Sequence, residues 1–197
     1  MTQDIRICFV GDSFVNGTGD ETALGWAGRL CAATSRDSSV TYYNLGIRRN
    51  TSKDILLRWK HECAIRLPGF CDGRVVISCG VNGTVIEGGQ LRVRPDGSRE
   101  YVREILRGVN KYKVLMVGPP PIGEEEQDAR IQAVSTAFSR EAEVLGVPYI
   151  DLFCALASDA SYKQEVSSND GAHPRSGGYT KIAKIIGSSP LWWFHEP

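Results

Sequence analysis

The sequence has no long block of like charge, no apolar run of membrane length, no closely paired cysteines and no low-complexity linker. Each absence removes a class of function. Lys+Arg and Asp+Glu both number 23 in 197 residues, so the electrostatic footprint of a nucleic-acid or anionic-membrane binder is missing and a small-molecule partner is expected. No apolar stretch approaches the roughly 20 residues of a spanning helix. Met1 to Asp4 leads into a strand without the basic start and apolar core of a signal peptide, so a soluble, cytoplasmic protein is expected. Six cysteines, at 8, 31, 63, 71, 79 and 154, form no CxxC pair, and only Cys63 and Cys71 are close in sequence. They read as free thiols, with neither a structural disulfide nor a metal site. Without a linker, a composition shift or a repeat, residues 1–197 read as a single domain.

What is present is organised around Ile5-Arg6-Ile7-Cys8-Phe9-Val10-Gly11-Asp12-Ser13. Its β-branched and aromatic residues, stopped by glycine, fit a buried strand of a parallel sheet. Ligand sites of such sheets lie beyond the carboxyl ends of the strands, which is where Ser13 falls. Further strands are expected at Val40–Leu45, Arg74–Ser78, Lys113–Val117 and Tyr149–Phe153. Helices are expected at Gly25–Ala33, from the Thr51–Asp54 capping box to about Leu67, from Pro95–Asp96 onward, at Glu124–Leu145 and at Ser176–Ile186. Stripes of Ile55, Trp59 and Cys63, and of Ile131, Val134, Phe138, Ala142 and Leu145, mark faces packed on the sheet. Phe14 to Gly19 reads as a glycine-rich loop and Thr84 to Arg94 as a loop over the sheet's carboxyl edge; Phe14, Val15, Trp26 and the 84–94 loop are candidate pocket lining. Alternating strands and helices predict an α/β fold, a parallel sheet covered on both faces. The apolar tail Leu191-Trp192-Trp193-Phe194 needs cover from its own domain or from another subunit, which leaves a homo-oligomer open.

A serine hydroxyl needs a base, and the base needs an orienting group. Asp170-Gly171-Ala172-His173 supplies both, three residues apart and just before the last helix. In this reading His173 takes the proton of Ser13, and Asp170 fixes the imidazole tautomer. Gly46 and Asn82 lie at neighbouring strand ends, where donors to an oxyanion should be found. A phosphate-binding reading of the glycines fails on spacing: Thr18 stands where a P-loop needs lysine, and Thr22 where a dinucleotide fingerprint needs glycine. His61 reads as a solvated surface histidine, and neither it nor His195 is expected to take part. Asp12 reads as structural.

In order along the chain, Gly11-Asp12-Ser13, Asn44-Leu45-Gly46, Gly80-Val81-Asn82 and Asp170-Gly171-Ala172-His173 resemble the four blocks of the SGNH hydrolases, the GDSL-type lipases and esterases. The resemblance spans most of the chain. It implies a flavodoxin-like three-layer α/β/α fold with a five-stranded parallel sheet. It also implies an oxyanion hole made of the Ser13 and Gly46 backbone N–H groups and the Asn82 side-chain amide. Two positions depart from the pattern. Phe14 replaces the leucine of the family name, and Gly83 stands where many members carry aspartate, which leaves the Asn82 loop without a polar anchor.

The expected activity is hydrolysis of carboxylic esters through an acyl-enzyme on Ser13, with no metal or organic cofactor. Thioesters and acetylated sugars remain open as substrates. The competing reading is a non-catalytic module holding a flavin or carbohydrate at the strand ends, since a fold alone does not define a function.

Overall fold

The computed structural model describes residues 4–34 and 39–194; His195 lies outside them. β1 (Ile5–Gly11) is followed by a one-turn helix α1 (Ser13–Asn16), α2 (Gly25–Ala33), β2 (Val40–Gly46), α3 (Ser52–Arg66) and β3 (Asp72–Ser78). A 3₁₀ turn at Asn82–Thr84 leads into the small hairpin β4 (Ile86–Glu87) and β5 (Gln90–Leu91). Then come α4 (Pro95–Gly108), β6 (Lys113–Val117), α5 (Glu125–Val144), β7 (Tyr149–Ile150), α6 (Leu152–Leu156), α7 (Ala160–Ser168) and α8 (Ser176–Gly187).

The main sheet has the order β2-β1-β3-β6-β7, and all its pairs are parallel. Helices cover both faces. Ile5, Ile7 and Phe9 of β1 pack with Trp26, Leu30, Tyr179, Ile182 and Ile186 from α2 and α8. Cys8 and Val10, which alternate with them, pack with Ile55, Trp59, Cys63, Val102, Ile105, Phe138 and Ala142 from α3, α4 and α5. This double burial is why Ile7 to Val10 of β1 reads as an unbroken apolar run. The expected three-layer α/β/α fold is observed.

Local signals account for most boundaries. The Thr51–Asp54 box opens α3: Thr51 Oγ1 accepts the Asp54 N–H, and Asp54 Oδ2 accepts the Thr51 N–H at 2.8 Å. Glu124 caps α5 by accepting the N–H groups of Glu126 and Gln127, and Gly146 follows the helix with a φ of 65°. The tail packs on its own chain. Trp192 is buried, 6.5 Å from Phe9 between ring centroids, and Arg74 stacks over Trp193 and Phe194.

Three expectations need correction. The fifth strand ends at Ile150, not Phe153, because the Asp151 carboxylate accepts the Cys154 N–H and starts α6. Leu152, Phe153 and Leu156 are buried at helical, not alternating, spacing. The segment after Ser13 is not a plain loop, since Asp12 caps α1 and the helix buries its own Phe14 and Val15. The 84–94 stretch contains the β4–β5 hairpin.

Register positions the site. Gly11 pairs with Gly46 on one side and with Ser78 on the other, so β1, β2 and β3 end level with one another. The segments carrying Ser13, Gly46 and Asn82 therefore emerge at one edge, although Asn82 lies 69 positions after Ser13 in the sequence.

Candidate active site

Ser13 is the first residue of α1 and is buried. Asp12 takes extended angles and its Oδ1 accepts the Phe14 N–H at 3.0 Å, which turns the chain sharply from strand to helix. Gly11 permits the turn, since a Cβ there would lie 2.2 Å from the Ser78 carbonyl oxygen.

The structure brings Ser13, His173 and Asp170 together. Ser13 Oγ lies 2.7 Å from His173 Nε2, and His173 Nδ1 lies 2.8 Å from Asp170 Oδ2. The other Asp170 oxygen accepts the backbone N–H groups of Ala172 and His173 at 3.0 and 2.8 Å. Burial by itself would raise the Asp170 carboxyl, but these donors and the His173 ring outweigh it and hold the group below the ordinary carboxylate range. Asp170 is thus an anion aimed at Nδ1. The proton shared with it stays on that nitrogen, and Nε2 is left as the acceptor for the Ser13 hydroxyl. The Phe14 ring packs 4.9 Å from the imidazole, so the departure at position 14 serves to hold His173 in place.

The expected oxyanion donors sit at the right edge, but two of them are occupied. The Gly46 N–H donates to Asn44 Oδ1 at 3.0 Å. The Asn82 amide donates to Asp12 Oδ2 at 3.3 Å and to the Asn50 carbonyl at 3.1 Å. The Ser13 N–H opens α1, among the helix N–H groups that lack an intrahelical acceptor.

Gly46 is explained by close approach, not by a left-handed turn: a Cβ there would fall 2.2 Å from the Asn16 nitrogen and 2.7 Å from the Asp12 carbonyl. Gly83 does not loosen its loop. The Val93 N–H donates to the Gly83 carbonyl at 3.1 Å, Gln127 and Arg130 donate to Thr84, and a Cβ at 83 would press on Ser98 Oγ at 3.2 Å.

Asp12 is structural in a demanding way. Its burial pushes the carboxyl up to about 7, against the opposing pull of the Phe14 N–H, the Asn82 amide and the Arg58 guanidinium. Arg58 binds the Gly11 carbonyl at 2.8 Å and Asn50 Oδ1 at 2.7 Å, tying α3 to the end of β1.

Sequence reasoning missed several supporting residues. Asn169 donates to the His173 carbonyl at 3.0 Å and braces the loop that carries the base. Asn44 donates to the Val15 carbonyl at 2.8 Å while it accepts from Gly46. Asn44 stands inside the Asn44-Leu45-Gly46 block and Asn169 directly precedes the Asp170 block, and that placement is the signal the sequence offers; Arg58, off the apolar stripe of α3, gives none. Trp26 and Val15 were expected as pocket lining, but they are fully buried in the core, with Trp26 edge-on to Phe9 at 5.4 Å. His61 is exposed.

A parallel five-stranded sheet with its helices on both faces defines an α/β protein. Its family follows from comparison. A profile described as the GDSL-like Lipase/Acylhydrolase family matches residues 9–181, and the chain belongs to that family of ester hydrolases. Solved structures similar in fold include a lipase/acylhydrolase from Enterococcus faecalis, 23% identical with a TM-score of 0.75, covering 94% of this chain and 93% of that one. An acetylxylan esterase from Geobacillus stearothermophilus is 18% identical with a TM-score of 0.72 and 93% coverage of each chain. An α/β hydrolase from the metagenome of Lake Arreo, Spain, is 19% identical with a TM-score of 0.77, covering 100% of this chain and 99% of that one. Comparison with curated proteins finds no match.

Proposed function

We propose that this protein is a serine esterase that cleaves carboxylic esters through an acyl-enzyme on Ser13. The observation that carries the reading is the continuous relay from Ser13 Oγ through the His173 ring to Asp170, at 2.7 and 2.8 Å. Ser13 Oγ attacks the ester carbonyl carbon as its proton passes to His173 Nε2, and the imidazolium is stabilised by Asp170. Collapse of the tetrahedral intermediate breaks the bond to the alcohol oxygen, which takes the proton from Nε2. Water then attacks the acyl-enzyme, gives a proton to Nε2, and releases the acid as Ser13 recovers its hydrogen.

Three donors serve the oxyanion: the Ser13 and Gly46 N–H groups and the Asn82 amide. The last two exchange or share their present acceptors, Asn44 Oδ1 and Asp12 Oδ2, as charge develops on the carbonyl oxygen. Short acyl esters, including acetylated sugars, are the substrates to try first, since one structural neighbour is an acetylxylan esterase. The test is a panel of p-nitrophenyl esters, thioesters and acetylated sugars. Ser13→Ala and His173→Ala should each lose at least 10³-fold in kcat while His61→Ala keeps the wild-type rate. Retention of most of the rate by His173→Ala would overturn the assignment of the base.

A further inference from the structure

The chain is neutral overall, yet cations gather on one side of the edge that carries Ser13. They come from two interlocked segments. Arg48 and Arg49 form the turn after β2 and Lys53 lies in the first turn of α3, while Arg92 and Arg94 lead from the β4–β5 hairpin into α4. Arg92 Nη2 donates to the Arg49 carbonyl at 2.9 Å. Hydrogen bonds tie these segments to the residues beside the nucleophile: the next carbonyl, that of Asn50, accepts from the Asn82 amide, which also reaches Asp12 next to Ser13. Arg49 is held at a φ of 66°, a conformation costly for a side chain of its size.

An open cleft of about 280 Å³ lies between these segments, with Lys53, Arg92, Arg94, Asp96 and Tyr101 in its walls. The acids around it are mostly committed. Glu87 pairs with Arg49 and Arg92, and Asp54 accepts from the Thr51 N–H and hydroxyl. Asp96 sits in the first turn of α4, whose N-terminus has no side-chain cap at Arg94. Lys53 and Arg94 are exposed and have no ion-pair partner among the described residues. Lys53 and Arg94, each without an ion pair among the described residues, thus face one cleft with the positive end of a 14-residue helix, beside Arg92, which is partly spent on Arg49 and Glu87, and the carboxyl of Asp96.

Resting on the reading of Ser13 as the nucleophile, we infer that the ester cleaved here carries an anionic group, a phosphate or a carboxylate, and that the Lys53–Arg92–Arg94 cleft binds it. The Arg94 guanidinium beside the Lys53 ammonium suits either anion, and Tyr101 adds an aromatic wall for the carbon skeleton next to it.

The test has two arms. In the first, phenyl phosphate is titrated calorimetrically into Ser13→Ala protein with the cleft intact and with Lys53→Ala and Arg94→Ala added. Binding should weaken about tenfold in the added variant, and also in ~0.5 M salt, as expected for partly exposed charges. Absent binding, or binding indifferent to the two substitutions, overturns the inference. In the second arm kcat/KM is compared within matched pairs: phenyl acetate against 4-acetoxyphenyl phosphate, and p-nitrophenyl hexanoate against the mono-p-nitrophenyl ester of adipic acid. At least one anionic ester should exceed its neutral partner about tenfold, and the Lys53→Ala/Arg94→Ala protein should lose that preference through KM. The favoured pair tells whether the cleft holds a phosphate on the alcohol side or a carboxylate on the acyl side. Equal rates within both pairs, or a preference that survives the double substitution, overturns the inference. If no ester is cleaved by wild-type protein, the serine esterase reading has failed, and the phosphate titration still decides the cleft.

Discussion

Removing the Asn82 side chain with Asn82→Ala perturbs a group that has two jobs on this account. At rest its amide spends both hydrogens, one on the Asp12 carboxylate at 3.3 Å and one on the Asn50 carbonyl at 3.1 Å. Each such bond is worth about 1 kcal/mol net, and Asp12 is left buried with one donor fewer, so a stability loss of about 2–3 kcal/mol is expected. For a chain of this length that lowers Tm by roughly 5–10 °C. During turnover, the longer bond to Asp12 is the one an oxyanion can displace, and the exchange is easier when Asp12, whose carboxyl sits at about 7, is protonated and a weaker acceptor. Loss of one oxyanion donor costs about 10²- to 10³-fold in kcat, roughly 2.7–4 kcal/mol, with little change in KM. Initial rates on p-nitrophenyl acetate, beside thermal unfolding by circular dichroism, measure both effects on one sample. A folded Asn82→Ala protein with wild-type kcat, or with its entire defect in KM, would refute the donor role while leaving the Ser13–His173–Asp170 relay in place.

Asp12 itself predicts a pH signature. Its carboxyl is raised from an ordinary 3.8 to about 7 by burial, so between those values the folded chain keeps a proton that the unfolded chain has lost. Stability should therefore fall as pH rises from about 4 to 7, by on the order of 4 kcal/mol, and level off above. Urea unfolding of wild type and Asp12→Asn across pH 4–8 checks this, and an equal slope in both proteins would contradict it. Gly46→Ala should be severely disruptive, because its Cβ meets backbone atoms of Asn16 and Asp12 at 2.2 and 2.7 Å and neither can yield without moving α1. Gly97→Ala, with its nearest neighbours at 3.6 Å inside α4, should be neutral or stabilising in the same thermal assay. Trp192→Ala should cost about 3–5 kcal/mol, since that ring completes the core beneath Phe9; a near-neutral result would show that the tail is dispensable.

Elements that bury one face each announced themselves. The stripe on α5 and the capping box of α3 need only local periodicity and local hydrogen bonds, and both were readable. β7 was misread beyond Ile150 because Leu152 and Phe153 are apolar in either conformation, and the Asp151 cap decided between them. The short α1 was invisible for a related reason, since one turn of helix has no period and depends on the Asp12 side chain and on tertiary burial of Phe14 and Val15. At the site, the residue types and their order suggested which side chains to join, but not how they are held. The commitment of Asn82 to Asp12 arises from the register that ends β1 and β3 together, and that of the Gly46 N–H to Asn44 Oδ1, two residues back, from an Asn44 side chain held against the Val15 carbonyl of α1. Trp26 failed as pocket lining because a large aromatic beside the nucleophile loop in sequence was placed one layer below it in space.

The central claim is that one hydroxyl in this chain is activated. Folded wild-type protein treated with a fluorophosphonate and mapped by peptide mass spectrometry should carry a single adduct on Ser13, formed much more slowly in His173→Ala, because among the described residues that serine alone has an oriented base at 2.7 Å. An adduct on any other serine, or none on folded protein, would contradict the account.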